Sequence, residues 1–162
     1  MAVEVTIRKA VPADRAAIGE LWWEMMVFHR ECDARAFRLK PQAEAIEIWL
    51  KHLAECMEDE KQIVLVADAG SGLGGFAMGR LGEDPPCFDL PPHAFVTNFF
   101  VSERLRRRGI GRRLYEALAE HFRVHGVEEI RLGVAARNPL SNAFWREMGF
   151  EAAMIQMRRR LA

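Results

Sequence analysis

The sequence has few cysteines and no long apolar run. Its three cysteines, Cys32, Cys56 and Cys87, lie far apart and form no Cys-x-x-Cys pair. This pattern favours neither a disulfide framework nor a zinc site, and it is typical of a reducing compartment. No apolar run approaches the roughly 18 residues that a membrane-spanning helix needs. Because no charged-then-apolar signal segment opens the chain either, we predict a cytoplasmic protein without a membrane partner.

The chain also lacks an excess of either charge. Lys and Arg total 23, Asp and Glu total 23, and the formal net charge at pH 7 is zero. A nucleic-acid or membrane-surface binder normally carries a basic excess, so we expect no nucleic-acid partner. The 162 residues, 50% of them hydrophobic, suit one globular domain over residues 1–162.

Arginine and glycine are instead concentrated in residues 103–114. An apolar strand-like run, 94–101, precedes Gly109 and Gly111, and a helical pattern follows them. A strand, a glycine-rich turn and a helix start bring unpaired backbone N–H groups together, where they bind phosphate. Arginines add forked donors, so the stretch predicts a pyrophosphate site, although a solvated helix face is the alternative. The six arginines are Arg104, Arg106, Arg107, Arg108, Arg112 and Arg113.

Hydrophobic periodicity predicts the element order β-α-α-β-β-β-α-β-α-β, a mixed sheet with helices on its faces. Gly74 and Gly75 interrupt one strand, which indicates a bulge or a close backbone approach. The first strand includes Val3, Val5 and Ile7, and the later strands cover 63–69, 73–81, 94–101, 129–134 and 150–159. The helices cover 14–29, 41–57, 109–125 and 139–148.

A second signature lies about thirty residues after the glycines: Asn138-x-x-Ser141-x-x-Phe144-Trp145-x-x-x-Gly149-Phe150. Together with Arg106-x-x-Gly109-x-Gly111, it resembles the GNAT superfamily of acyl-CoA-dependent N-acetyltransferases. The resemblance implies an α/β (α+β) fold. It further implies a mixed, mostly antiparallel, twisted sheet of about six to seven strands, with helices on both faces and a splay between the fourth and fifth strands.

The same resemblance implies acetyl-CoA as cosubstrate and no metal. Backbone groups of the glycine loop would hold the pyrophosphate, and main-chain groups of the fourth strand would meet the pantetheine arm. Asn138 is expected beside that arm, with a plain helix cap as the alternative. The implied cofactor-binding residues are Phe99, Phe100, Val101, Arg106, Arg107, Arg108, Gly109, Ile110, Gly111, Arg112, Asn138, Ser141 and Trp145.

The implied reaction is direct attack of a primary amine on the acetyl thioester in a ternary complex. Many relatives place a carboxylate base where this chain has Thr97 and Asn98, and a tyrosine acid where it has Trp145. An indole N–H is too weak an acid to protonate a thiolate. We take His93 as the first candidate base, with an exposed loop histidine as the alternative. The remaining candidates are His29, Glu31, Asp33, Glu83, Asp84 and Asp89.

The predicted catalytic residues are therefore His93, Asn98 and Trp145. The acceptor is predicted to be the amine of a small molecule, a peptide or a protein, and the resemblance is compatible with a homodimer. His121 and His125 have metal-ligand spacing, but the sequence offers no third ligand at a sensible spacing. The absent carboxylate and tyrosine leave one other function open, a catalytically degenerate module that binds or senses acyl-CoA.

Overall fold

The computed structural model describes residues 4–161, so Val3 of the predicted first strand lies outside the described residues. Within this range the predicted element order is confirmed up to the last helix. None of the helices in this range is long and apolar enough to cross a membrane. The elements are β1 (Thr6–Lys9), α1 (Arg15–Cys32), α2 (Gln42–Glu58), β2 (Gln62–Asp68), β3 (Leu73–Leu81), β4 (His93–Val101), α3 (Ile110–Val124), β5 (Glu129–Leu132) and α4 (Pro139–Glu147).

The prediction of a final strand over 150–159 is wrong. Residues 151–161 have no regular secondary structure and are exposed, so the sheet has five strands rather than six to seven. An apolar run supplies strand propensity, but a strand forms only where its backbone groups and side chains meet a partner. Among the described residues this segment pairs with no strand. Its apolar side chains remain in contact with solvent, as the 93% exposure of Met154 illustrates.

The five strands lie in the order β1-β2-β3-β4-β5. All neighbours are antiparallel except β4 and β5, which are parallel and are joined through α3. Helices α1 and α2 cover one face, where Ile18 and Leu53 pack with Phe76. Helix α3 covers the other face through Leu114 and Phe122. Each such fully buried side chain contributes roughly 1.5–3 kcal/mol, so both faces hold the sheet in place.

Glycines allow β3 to follow its neighbours closely. Ala67 pairs with Gly75 and Asp68 with Leu73, so Gly74 is the extra residue of a bulge. A Cβ on Gly75 would lie 2.7 Å from the carbonyl oxygen of Phe100. Both readings of the glycine pair, a bulge and a close backbone approach, are therefore confirmed.

A second bulge lies in β4. Met78 pairs with Asn98 and Gly79 with Val96, which leaves Thr97 as the extra residue. On the other side of β4, pairing with β5 ends at Val96 and Leu132. Among the described residues, the outer edge of β4 from Asn98 to Val101 therefore has no partner strand. We call this opening between β4 and β5 the strand gap.

Candidate active site

The N-terminus of α3 has the features of an anion-binding helix start. Gly109 precedes the helix in a left-handed conformation, with φ of 73°, and no described side chain caps the helix. Its first turn contains no acidic residue. The first N–H groups of a helix have no partner within the helix and carry the positive end of its dipole. Phosphate groups bind at such helix starts.

The two glycines of this loop serve different purposes. Gly109 provides the left-handed conformation that a residue with a side chain adopts at a cost. Gly111 provides space, because a Cβ there would lie 3.2 Å from the ring of Phe144 on α4. The first turn of α3 can therefore pack directly against α4. Arg107 is also left-handed, with φ of 58°, so the loop turns sharply just before the helix.

Arg106 holds the loop to the end of β4. Its Nε donates to the carbonyl oxygen of Val101 at 2.9 Å. Its guanidinium lies 5.3 Å from the ring centre of Phe28 on α1 and 5.6 Å from that of Phe100. This side chain therefore joins α1, β4 and the loop, and cofactor binding by Arg106 stays a prediction.

Some of the other arginine side chains bond to described residues, and others do not. Arg112 pairs with Glu147 at 2.9 Å, and Arg113 donates to the carbonyl oxygen of Val5 at 2.8 Å. Arg107 and Arg108 are exposed, and neither forms an ion pair or side-chain hydrogen bond with a described residue. These two guanidinium groups are therefore the ones best placed to meet an anion at the helix start.

Aromatic rings fill the space between β4 and α4. Trp145 is 6% exposed, and its ring centre lies 5.0 Å from that of Phe99 and 5.7 Å from that of Tyr115. Phe99 also stacks on Phe144 at 5.3 Å. Burial raises the pKa of Tyr115, so this phenol stays neutral around pH 7. Trp145 thus lies in the centre of a packed aromatic cluster between β4 and α4.

Asn138 is the N-cap of α4. Its Oδ1 accepts from the backbone N–H of Ser141 at 3.0 Å, and the side chain is buried. Asn142 donates to the Asn138 carbonyl oxygen at 2.7 Å, which fixes the same turn. Asn138 thus caps α4, and its place beside the pantetheine arm stays a prediction. Its position after β5 also places it on the far wall of the strand gap.

The structure separates His93 from Asn98. His93 opens β4 and, because Thr97 is the extra residue of the bulge, Asn98 lies four regular strand positions further along, about 13 Å away at roughly 3.3 Å per residue. His93 is buried rather than exposed in a loop. Its Nδ1 lies 3.1 Å from Asp84, which is 3.5 Å from Arg131. Nε2 is buried and makes no hydrogen bond with a described residue. A catalytic role for His93 stays a prediction.

His29 lies on α1, next to a residue that contacts the glycine loop. It follows Phe28, whose ring meets Arg106, and its imidazole stacks on Phe37 at 4.6 Å. Burial lowers the pKa of His29, so the ring is neutral around pH 7. Its Nδ1 is buried without a hydrogen-bond partner among the described residues.

Sequence reasoning missed two contacts near the strand gap. The Ser102 hydroxyl, just after β4, donates to Glu24 on α1 at 3.1 Å. Asp33, just after α1, accepts from Arg158 at 2.9 Å and lies 4.0 Å from Arg137. The partners in the two hydrogen bonds are 78 and 125 positions apart. No local pattern carries a signal for either one.

Comparisons with known proteins agree with this geometry. Residues 18–150 match the model of the acetyltransferase (GNAT) family. The chain is 26% identical over 121 residues to a [ribosomal protein bS18]-alanine N-acetyltransferase from Salmonella typhimurium, which covers 75% of this chain and 76% of the relative.

Two solved structures share the fold. A mutant of the BH1408 protein from Bacillus halodurans superposes with a TM-score of 0.86 at 24% identity, covering 97% of this chain and 99% of the other. The aminoglycoside acetyltransferase AAC(6')-Iy, in complex with a bisubstrate analogue of CoA and acetylneamine, gives a TM-score of 0.73 at 19% identity. That match covers 98% of this chain and 99% of the other. At these identities the two structures speak for the fold alone. The family match extends over most of the chain, from α1 to Phe150, and the chain belongs to the acetyltransferase (GNAT) family.

Proposed function

We propose that this protein is an N-acetyltransferase that moves the acetyl group of acetyl-CoA directly to a primary amine. One observation carries the proposal: the uncapped, acid-free start of α3 lies next to the open edge of β4. An anion site beside unpaired strand groups suits a ligand that joins a pyrophosphate to an amide-bearing arm. The residues present therefore fit acetyl-CoA.

The pyrophosphate would bind the backbone N–H groups of Arg108, Gly109, Ile110 and Gly111. Arg107 and Arg108 would supply charge, and Arg112 could join them by leaving Glu147, since that exposed pair is weak. Arg106 would act indirectly by holding the loop to Val101.

The amide-bearing arm would lie in the strand gap. Main-chain groups of Phe99 and Val101 would pair with it, as they would with another strand at this edge, whereas Phe100 pairs with Phe76 of β3. On the opposite wall, Asn138 and Ser141 form the start of α4. Their cap keeps this wall in place beside the arm.

The chemistry requires a neutral amine, which attacks the thioester carbonyl while the C–S bond breaks and the sulfur leaves as a thiolate. A backbone N–H near Phe99 or Phe100 would stabilise the negative oxygen that forms. Asn98, at the open edge, would orient the amine or a water that takes its proton. Since an indole is not an acid, we assign no proton transfer to Trp145 and propose instead that it forms a wall of the acetyl pocket. His93, buried against Asp84, would act only indirectly.

The named relatives favour an amine acceptor. The Salmonella typhimurium relative acts on an alanine of a ribosomal protein, and the structure of AAC(6')-Iy contains an analogue that carries acetylneamine. We propose a primary amine of a small molecule, peptide or protein, acetylated in the cytoplasm without a metal ion. A homodimer is compatible with this function.

The test is thiol release from acetyl-CoA across a panel of amino acids, polyamines, aminoglycosides and peptides, together with calorimetric binding of CoA. We expect acceptor-dependent release, and we expect the double variant Arg107→Gln/Arg108→Gln to bind CoA at least tenfold more weakly. Arg159→Gln, an exposed arginine outside the site, is the matched control. Equal CoA affinity in the double variant and the control would contradict the assigned anion site.

A second function is favoured by one specific observation. Neither Thr97 nor Asn98 is a base, and Trp145 is packed among aromatic rings rather than exposed as an acid. The protein could then be an acyl-CoA-binding or sensing module without turnover. Tight CoA binding with no thiol release across the whole amine panel would support the module and exclude the enzyme.

A further inference from the structure

Asp33 is a carboxylate whose place in the fold needs an explanation. It follows α1, and its side chain is only 11% exposed. Oδ1 accepts from the backbone N–H groups of Arg35 and Ala36, each at 3.1 Å. Oδ2 accepts from Arg158 at 2.9 Å. One oxygen thus shapes the local turn, and the other binds a cationic side chain.

Asp33 lies near the α4 wall of the strand gap. Its own helix, α1, reaches the end of β4 through Phe28 and Arg106. Its second cationic neighbour, Arg137 at 4.0 Å, directly precedes Asn138 at the start of α4. Asp33 therefore lies beside one wall of the gap, while its helix contacts the end of the strand that forms the other wall, and we take this side as the entrance for an acceptor amine.

Arg158 is loosely held in this position. Its side chain is 57% exposed. Within residues 151–161, its bond to Asp33 is the one side-chain hydrogen bond to the rest of the described structure. The segment around it has no regular secondary structure and buries no side chain. Because the arginine of this pair is largely exposed and nothing packs around it, its hold on Asp33 is weak and another cation can replace Arg158.

We propose that Asp33 binds a second positive charge of the acceptor and that Arg158 occupies this position when no acceptor is bound. This inference rests on the proposed acetyltransferase function and narrows its substrate class to amines with at least two positive charges. The C-terminal segment then competes with the acceptor from within the chain. A monocation has no second positive charge that could bind Asp33, so the departure of Arg158 does not strengthen its binding.

The test compares spermidine, a trication, with n-pentylamine, a monocation, in thiol-release kinetics. Asp33→Asn keeps an oxygen that accepts from Arg35 and Ala36 but removes the charge. We expect it to raise KM for spermidine at least tenfold and leave KM for n-pentylamine within twofold. Arg158→Gln should lower KM for spermidine two- to fivefold, whereas the neighbouring control Arg159→Gln should change neither value.

A second readout does not depend on turnover. Hydrogen–deuterium exchange of residues 151–161 should rise when spermidine is added to the CoA-bound wild type, and it should not respond to spermidine in Asp33→Asn. The inference is overturned if spermidine leaves exchange unchanged in the wild type, or if Asp33→Asn affects both amines alike. Failure of the enzyme proposal would look different, because no amine at all would release thiol.

Discussion

Arg106 donates from Nε to the carbonyl oxygen of Val101, and this bond joins the glycine loop to the last residue of β4. The guanidinium also lies over Phe28 and Phe100. The side chain of this motif arginine therefore stabilises the frame of the proposed anion site. Its loss should affect both folding and cofactor binding.

For Arg106→Gln, we expect the free energy of unfolding to fall by about 1–3 kcal/mol, because a charge-assisted hydrogen bond and two cation–aromatic contacts are lost. Urea denaturation measures this loss. Arg108→Gln is the control, since Arg108 contacts no described side chain through a hydrogen bond or ion pair, and it should stay within about 0.5 kcal/mol of wild type. Equal stability of the two variants would contradict the structural role of Arg106.

The two loop glycines predict different responses to alanine. Gly109→Ala forces a side chain into a left-handed conformation, at a cost of about 1–2 kcal/mol. Gly111→Ala instead pushes against the ring of Phe144. Adding Phe144→Leu should therefore relieve much of the Gly111→Ala penalty and none of the Gly109→Ala penalty.

Double-mutant cycles from chemical denaturation measure that difference as a coupling energy. We expect a coupling of about 0.5–1.5 kcal/mol between positions 111 and 144 and about zero between 109 and 144. Equal couplings would show that the close approach of α3 and α4 does not restrict position 111.

Because of His29, we expect the protein to lose stability in mild acid. Burial lowers its pKa in the folded state below the ordinary value of 6.5, so the unfolded chain takes up the proton more readily. The stabilising contribution is complete above pH 6.5 and declines as the pH falls through that value. In His29→Gln, unfolding free energy should fall less steeply between pH 7 and pH 5 than in wild type. Parallel curves would contradict the burial of this ring.

We expect the role of Trp145 to be packing rather than acid catalysis. Trp145→Ala should cost about 3–5 kcal/mol, because a large ring is removed from a filled cluster. Trp145→Tyr restores the residue type that many relatives use, and Trp145→Phe serves as its control. If the indole only packs, wild type and Trp145→Phe should share one pH–rate profile. A new alkaline limb in Trp145→Tyr alone would show that a phenol at this position donates a proton.

Local patterns were sufficient to predict most elements. Alternation and helical periodicity place β2 to β5 and the four helices within a few residues, and the glycine spacing locates the turn before α3. These features depend on neighbours in sequence. Asn138 is a similar case, because its cap involves Ser141, three residues away.

Contacts between distant residues were not predictable in the same way. The segment after Phe150 has strand-like residues but meets no partner strand among the described residues. His93 reads as a loop-edge histidine, yet it is buried against Asp84 from the preceding loop. Asp33 meets Arg158 only because the fold brings the end of α1 to the C-terminal segment. Each outcome depends on a tertiary neighbour that spacing does not encode.

The extra residue at Thr97 inverts the phase of β4. Ala94 and Val96 face the α3 side, and uninterrupted alternation would send Phe100 there as well. Phe100 instead packs with α1 and α2, while Phe99 joins the α3 side. The strand is thus two half-strands of opposite parity in the sequence, and removing Thr97 would restore regular alternation while leaving both phenylalanines on their present faces. The bulge therefore lets a strand with one residue too many for regular alternation place both rings in their cores.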